Sequence, residues 1–228
     1  TSLGYSALGM AQLAGSAVKY IAARKGNLAV SPTQGCGFIK SHPEAPKPDI
    51  QLHFLPGMAD DHGKERFMGE QGVMLHACCL YPKSRGTLRL HSTDPLIQPD
   101  IDPNYLSRSE DWDVMIAACK AAFRILRQPA FDDIRLSMRV PLDRPQNDDG
   151  WRAIIRARAE TIYHPVGTCK MGHPKDPLAV TNNAGRVFRT KGLRVVDASL
   201  MPLLIGGNTN APTIMMAEKI ADHMLKTA

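Results

Sequence analysis

The hydrophobic positions along this 228-residue chain change period several times, and each change marks an element. Residues 3–24 carry Ala, Leu and Met at helical spacing with small residues between, and Gly26 follows; the pattern predicts a helix with a glycine stop. "QGCGFIK" and "DIQLHFL" read as strands separated by the proline-rich loop "SHPEAPKPD". "DDHGKERFMGEQG" is a polar excursion punctuated by glycine. "VMLHACCLY" is apolar on both faces, "PKSRG" is a turn, and "TLRLH" alternates, which predicts a hairpin and antiparallel pairing. "DPLIQPDIDPNYL" is extended and studded with proline. The clearest helical signal is "SRSEDWDVMIAACKAAFRILRQ". There Ser107 and Glu110 have capping-box spacing, and Trp112, Met115, Ile116, Cys119, Phe123 and Leu126 share one face. "DDGWRAIIRARAE" predicts another helix, with Trp151, Ile154 and Ile155 inward and Arg152, Arg156 and Arg158 mostly solvated.

The last third has a different rhythm. "GLRVVDAS" reads as a short apolar strand ending in Asp197, and "LMPLLIGGNTNA" as a Gly/Asn loop. "PTIMMAEKIADHMLK" reads as a helix with Pro212 in its first turn and Ile214, Met215, Ile220 and Met224 inward. Strand, glycine-rich loop, helix is the order of an α/β sheet, whose ligands sit beyond the carboxyl ends of the strands. The predicted class is α+β: an antiparallel-sheet domain with helices, followed by a strand–loop–helix of α/β character.

Composition adds bounds. A 43% apolar and 22% charged chain can form an ordinary core. The net charge of +6 suits an anionic cofactor or a membrane surface. Nucleic acid is disfavoured, because the basic residues are scattered and only 6% of the chain is aromatic. Five cysteines, two of them adjacent, make a poor disulfide framework and point to a reducing, cytoplasmic compartment, with membrane association left open. No apolar run is long enough to span a bilayer. The chain opens on Thr1 and not on Met, which reads as a piece of something longer.

Two loops carry the chemistry. "TIYHPVGTCKMG" spends a His, a Pro and two Gly on one aperiodic stretch. A metal site is one reading, from Cys169, His173 and nearby His164, but no second ligand cluster accompanies them. A positioned base is another: histidine titrates near neutrality, and Pro165 biases His164 toward an extended backbone. Gly167 would let the backbone approach a flat ligand. An ordinary turn is the third reading, and on this loop alone it is favoured. The second loop, "GGNTNAPT", holds Gly206, Gly207, Asn208 and Asn210 before a helix start. That helix end favours negative charge, and Asn208 could donate to a developing oxyanion. Alternatively, Asn210 caps the helix and Asn208 is plain loop.

Together, "YHPVGTCKMG" and "GLRVVDASLMPLLIGGNTNAPTIMMAEKIADHM" resemble the C-terminal signature of the glucose–methanol–choline (GMC) oxidoreductases, flavoenzymes that oxidise alcohols. "PDIQLHFLP", the following "DDHG" and "YPKSRGTLRL" resemble the substrate domain of the choline dehydrogenase-like branch. The resemblance implies a substrate domain over residues 1–155 and the C-terminal part of an FAD-binding domain over 156–228. It implies that His164 takes the alcohol proton while hydride passes to flavin N5, with Asn208 as its partner. Asp197, Ala198, Asn208, Thr209, Asn210, Thr213 and Pro165 match positions near the FAD. His53, Gln34 and Ile162 fall at the substrate pocket; for His53 a buried strand histidine is an equal reading. Choline-oxidising relatives often carry a Glu where "TQGCGF" has Gln34, and a neutral amide pairs poorly with a cation, so an uncharged primary alcohol is expected over choline.

The family's pyrophosphate-binding G-x-G-x-x-G does not occur here. These 228 residues alone are therefore expected to bind FAD weakly or not at all, as a fluorescence titration would check. The expected partners are an alcohol, a quinone or oxygen as electron acceptor, and an N-terminal FAD-binding segment. "GLRVVDAS", as an unpaired strand, is expected to self-associate or be covered. The rival expectation is an inactive fragment that acts as a binding or assembly module.

Overall fold

The computed structural model describes residues 7–31, 33–57, 72–138, 145 and 147–227. Packing divides the chain into two units, Thr1–Cys79 with Trp112–Glu160, and Leu80–Asp111 with Thr161–Ala228. The inclusion of Leu80–Asp111 in the second unit has no counterpart in the sequence reading.

The first unit follows the sequence periods. It contains α1 (Ala7–Ala23), β1 (Gly35–Ile39), β2 (Ile50–Leu55) and β3 (Met74–Cys79), then most of α2 (Ser109–Leu126) and all of α3 (Asp148–Arg158). The strands form an antiparallel sheet in the order β1–β2–β3. The β1–β2 loop is clamped by Asp49, whose carboxylate accepts from the Ser41 amide (2.7 Å) and hydroxyl (2.6 Å). Most of the polar stretch before β3 lies outside the described residues.

Alternation separates the two faces of the sheet. Ile39, Ile50, Leu52, Leu75 and Ala77 pack with Val114, Ala117, Ala118 and Ile125 of α2. The register places Cys36, His53 and His76 in one row on the other face. Phe123 of α2 meets Trp151 of α3 edge-on, with ring centroids 5.8 Å apart. Asn147 caps α3 by accepting from the Gly150 amide (3.0 Å). Asp148 and Asp149 in its first turn and Arg156 and Arg158 in its last complement the helix dipole.

The capping box expected at Ser107 and Glu110 is not what engages Glu110. Its own backbone amide and the Ser109 hydroxyl (3.1 Å) hydrogen-bond its carboxylate and hold its pKa below the usual range.

The second unit departs from the sequence reading in three places. It contains β4 (Thr87–Arg89), β5 (Asp100–Asp102) and α4 (Asn210–Lys226). The predicted β3–β4 hairpin does not form; β3 pairs with β2, and β4 pairs with β5. The intended turn is tied elsewhere: buried Asp111 accepts from the Lys83 amide (2.6 Å), the Ser84 amide (2.9 Å) and the Ser84 hydroxyl.

"GLRVVDAS" is not a ladder strand. Its described pairing is one bridge, Arg186 with Arg194, flanked by Val187 N–H to Leu193 O (3.1 Å) and Val195 N–H to Gly185 O (2.9 Å). A strand needs a partner in register, and this tight excursion supplies two residues' worth before Asp197 starts a 3₁₀ turn at Ala198–Leu200. The self-pairing edge expected there is thus not a formed strand.

In α4, only Ile220 of the four residues expected inward is buried; Ile214 (54%), Met215 (56%) and Met224 (43%) are exposed. Ile220 reaches close to Gly185, where an added Cβ would lie 3.6 Å from its Cδ1.

Candidate active site

The loop around His164 is built by hydrogen bonds rather than by a ladder. Thr161 Oγ1 accepts from the Tyr105 hydroxyl (3.0 Å) and from the Tyr163 amide (3.1 Å). Tyr163 itself has φ 59°, a left-handed conformation that costs a bulky residue. Gly167 has φ 89°, so glycine is needed there for its own backbone. Beyond it, Cys169 N–H donates to Ser199 O (3.1 Å) and Met171 N–H to Leu200 O (2.8 Å). Fully buried Thr181 donates its hydroxyl to Cys169 O (3.2 Å). Asp197 accepts from the amide (2.8 Å) and hydroxyl of Ser199, which fixes the turn those bonds reach. These bonds sew residues 167–171 to the segment that leads into the Gly/Asn loop.

The result holds His164 between two partners from that second loop. Its Nε2 lies 3.0 Å from Asn208 Nδ2, and its Nδ1 lies 3.0 Å from Thr209 Oγ1. His164 is half-buried, Asn208 exposed and Thr209 buried. Thr209 stands directly before α4, and its carbonyl accepts from the Thr213 amide (3.0 Å) and hydroxyl (2.7 Å). The first turn of α4 holds no acidic residue, so no carboxylate of its own offsets the positive end of the helix dipole. An imidazole, a carboxamide and a helix N-terminus therefore converge on one place.

The other expected site residues distribute as follows. Asp197 and Ala198 form the 3₁₀ turn, and Asp197 serves as its cap. Asn210 is the first, exposed residue of α4 and does not stand at its cap position, which Thr209 occupies. Pro165 is exposed, and Ile162 is exposed beside the histidine. In the first unit, the backbone N–H of Gln34 donates to Phe54 O (3.0 Å) ahead of β1. His53 stands on the sheet face opposite the α2 core, between Cys36 and His76.

Cys169 is a free thiol, and His173 Nδ1 accepts from the Lys175 amide (3.2 Å). Among the described residues, no group of three or more His, Cys, Asp and Glu side chains is placed to hold a metal.

Sequence reasoning missed Tyr81. A methyl at Gly206 would overlap its hydroxyl, so the tyrosine is seated against the loop that carries Asn208. The signal was the paired glycine before Asn208, which marks a close approach without naming what approaches.

Comparison with known proteins gives the class of protein in which this pairing of His164 with Asn208 and Thr209 occurs. Residues 82–217 match the GMC oxidoreductase family. The chain is 47% identical over 207 residues to the alcohol dehydrogenase (acceptor) of Pseudomonas putida, covering 91% of this chain and 37% of that protein. It is 44% identical over 186 residues to mitochondrial choline dehydrogenase of Homo sapiens, covering 82% and 31% respectively. An FAD-dependent oxidoreductase from Chaetomium thermophilum shares the fold, with a TM-score of 0.78 at 21% identity over 95% of this chain and 43% of that one. The chain belongs to the GMC oxidoreductase family. It spans roughly a third of the length of these curated relatives.

Proposed function

We propose that this chain is the C-terminal portion of an FAD-dependent dehydrogenase that oxidises a primary alcohol to its aldehyde. The observation that carries the reading is His164 held between Asn208 and Thr209 at the head of α4. His164 takes the hydroxyl proton at Nε2. Asn208 donates to the same oxygen, and the α4 N-terminus favours the negative charge that follows. Bound FAD would supply the hydride acceptor for the alcohol carbon, with a quinone or oxygen as the proposed final electron acceptor.

The residues fit such a group. The first turn of α4 lacks acidic side chains, and a Cβ on Gly207 would meet open space, which leaves room beside Asn208 for a flat ring. Pro165, Asp197, Ala198, Asn210 and Thr213 are the residues proposed to border it. His53, Gln34 and Ile162 are proposed to border the alcohol. Residues 1–155 serve as the substrate domain and 156–228 complete the flavin domain. The choline dehydrogenase relative raises choline as the substrate, but the neutral amide of Gln34 favours an uncharged alcohol.

Turnover of the full-length protein on an alcohol panel that includes choline, with an artificial acceptor and with oxygen alone, tests the reading. Primary aliphatic or aromatic alcohols are expected to reduce the flavin faster than choline does. His164→Ala is expected to slow flavin reduction by ~10²–10⁴-fold, the usual contribution of a positioned general base. Unchanged reduction in that variant would overturn the assignment of the base, and a preference for choline would overturn the substrate class.

A further inference from the structure

We infer that Thr209 is a positioning residue: its hydroxyl oxygen accepts the Nδ1 proton of His164 and so keeps Nε2 the unprotonated, accepting nitrogen. The inference deepens the proposed function and rests on His164 being the base.

The argument begins with proton counting. A neutral imidazole carries one N–H. The Asn208 atom 3.0 Å from Nε2 is the amide nitrogen, which can only donate, so Nε2 must accept. The single proton then sits on Nδ1, 3.0 Å from Thr209 Oγ1, where a hydroxyl oxygen accepts it. That is the tautomer a base needs.

Thr209 also keeps its role through the reaction. Once Nε2 has gained a proton, both ring nitrogens donate. The Nδ1–H···Oγ1 bond persists unchanged, whereas Asn208 must exchange its amide NH₂ for an oxygen or for the substrate.

The burial of the two partners matches this division. Thr209 is 6% exposed, whereas Asn208 is exposed. The threonine backbone is fixed by the Thr213 amide and hydroxyl on its carbonyl. Its β-branched side chain has few rotamers to choose from. Thr209 is thus the anchor and Asn208 the adjustable contact. With so little exposure at Thr209, water is poorly placed to replace its hydroxyl if that group is removed.

The test uses the full-length holoenzyme with ¹⁵N-labelled histidine, the His164 signals being assigned by their loss in His164→Gln. Two-bond ¹⁵N–¹H spectra read the tautomer directly, without turnover. The wild type and Thr209→Ser are expected to show Nδ1–H. Thr209→Val, which keeps the shape and loses the acceptor, is expected to show a mixture or Nε2–H. In stopped-flow, Thr209→Val is expected to slow flavin reduction about 10- to 100-fold, by analogy with groups that orient metal-ligating histidines. Substrate Kd should change little, and Thr209→Ser should recover most of the rate.

An Nε2–H tautomer in the wild type would overturn the inference, and that spectrum needs no variant to fold. An unaltered tautomer in Thr209→Val would overturn it as well. A tautomer that shifts as expected, alongside His164→Ala with undiminished flavin reduction, would sink the base assignment and leave the Thr209–His164 pairing standing.

Discussion

The β1–β2–β3 sheet and the loops between residues 161 and 209 both satisfy backbone groups, but they do so in opposite ways. In the sheet the ladder repeats, and one register determines every row, from Ile39–Ile50–Cys79 to Gly35–Phe54–Leu75. In the loops each bond is separate: Cys169 to Ser199, Met171 to Leu200, Thr181 to Cys169. A sheet shares the work of positioning among many equivalent bonds, whereas the loops assign each side chain its own. The sheet region is therefore held by apolar burial, and the loop region by close approaches that tolerate little added volume.

This contrast predicts where substitutions hurt. The largest effect on stability is expected in the first unit. Trp151→Ala removes a side chain only 2% exposed from its edge contact with Phe123. A loss of about 3–5 kcal/mol is expected in urea unfolding followed by circular dichroism, as for other large-to-small core changes. A loss below ~1 kcal/mol would mean that this core is not the one holding the unit.

Next comes Gly206→Ala in the loop region, where the added methyl must displace the Tyr81 hydroxyl. Overpacking of this kind costs ~1–3 kcal/mol. In a Tyr81→Leu background the cost should shrink, because the clash and its partner are coupled. Strict additivity in the double variant would argue against the contact.

Thr181→Val keeps the shape and removes the hydroxyl bond to Cys169 O. A loss of about 1 kcal/mol is expected. A larger loss would show that the loops act more cooperatively than separate bonds should.

The smallest effect at neutral pH returns to the first unit. Burial raises the Cys119 thiol from 9.0 to about 11. The folded state therefore holds this proton more tightly than the unfolded state. The associated stability is fully present below pH 9.0 and is lost as pH rises through about 11. Cys119→Ala should flatten that alkaline decline. At pH 8.5, iodoacetamide should label exposed Cys36 well before Cys119; equal rates would contradict the burial.

The helices and the three-stranded sheet were legible because their information is local and repeated. The existence of α2 and of β2 can each be read from a dozen residues, but the α2 residues that meet the sheet are Val114, Ala117, Ala118 and Ile125, not the face expected from Trp112 to Leu126. The β3–β4 hairpin misled because "PKSRG" has turn chemistry, and a neighbour in sequence is the default partner of a strand. Asp111, more than twenty residues away, took the turn's amides, and nothing in the local pattern announces that. "GLRVVDAS" and the inward face of α4 misled for a related reason. An apolar run states that burial is wanted, but not that a partner is within reach.

Residue type and loop setting drew notice to His164 and Asn208 but favoured an ordinary turn and a plain loop; their expected roles came from the resemblance to the family. Their separation of 44 residues gave no geometric warrant for contact. The sequence by itself determined the α+β class, the elements with a clean period and the two loops that carry polar chemistry, because periodicity and turn residues act over one or two turns of chain. Only the tertiary structure decided that Thr209 faces Nδ1 of His164, that Tyr81 lies against Gly206, and that Asp111 binds the amides of Lys83 and Ser84. Each of these is a single long-range contact, and no repeating pattern along the chain encodes it.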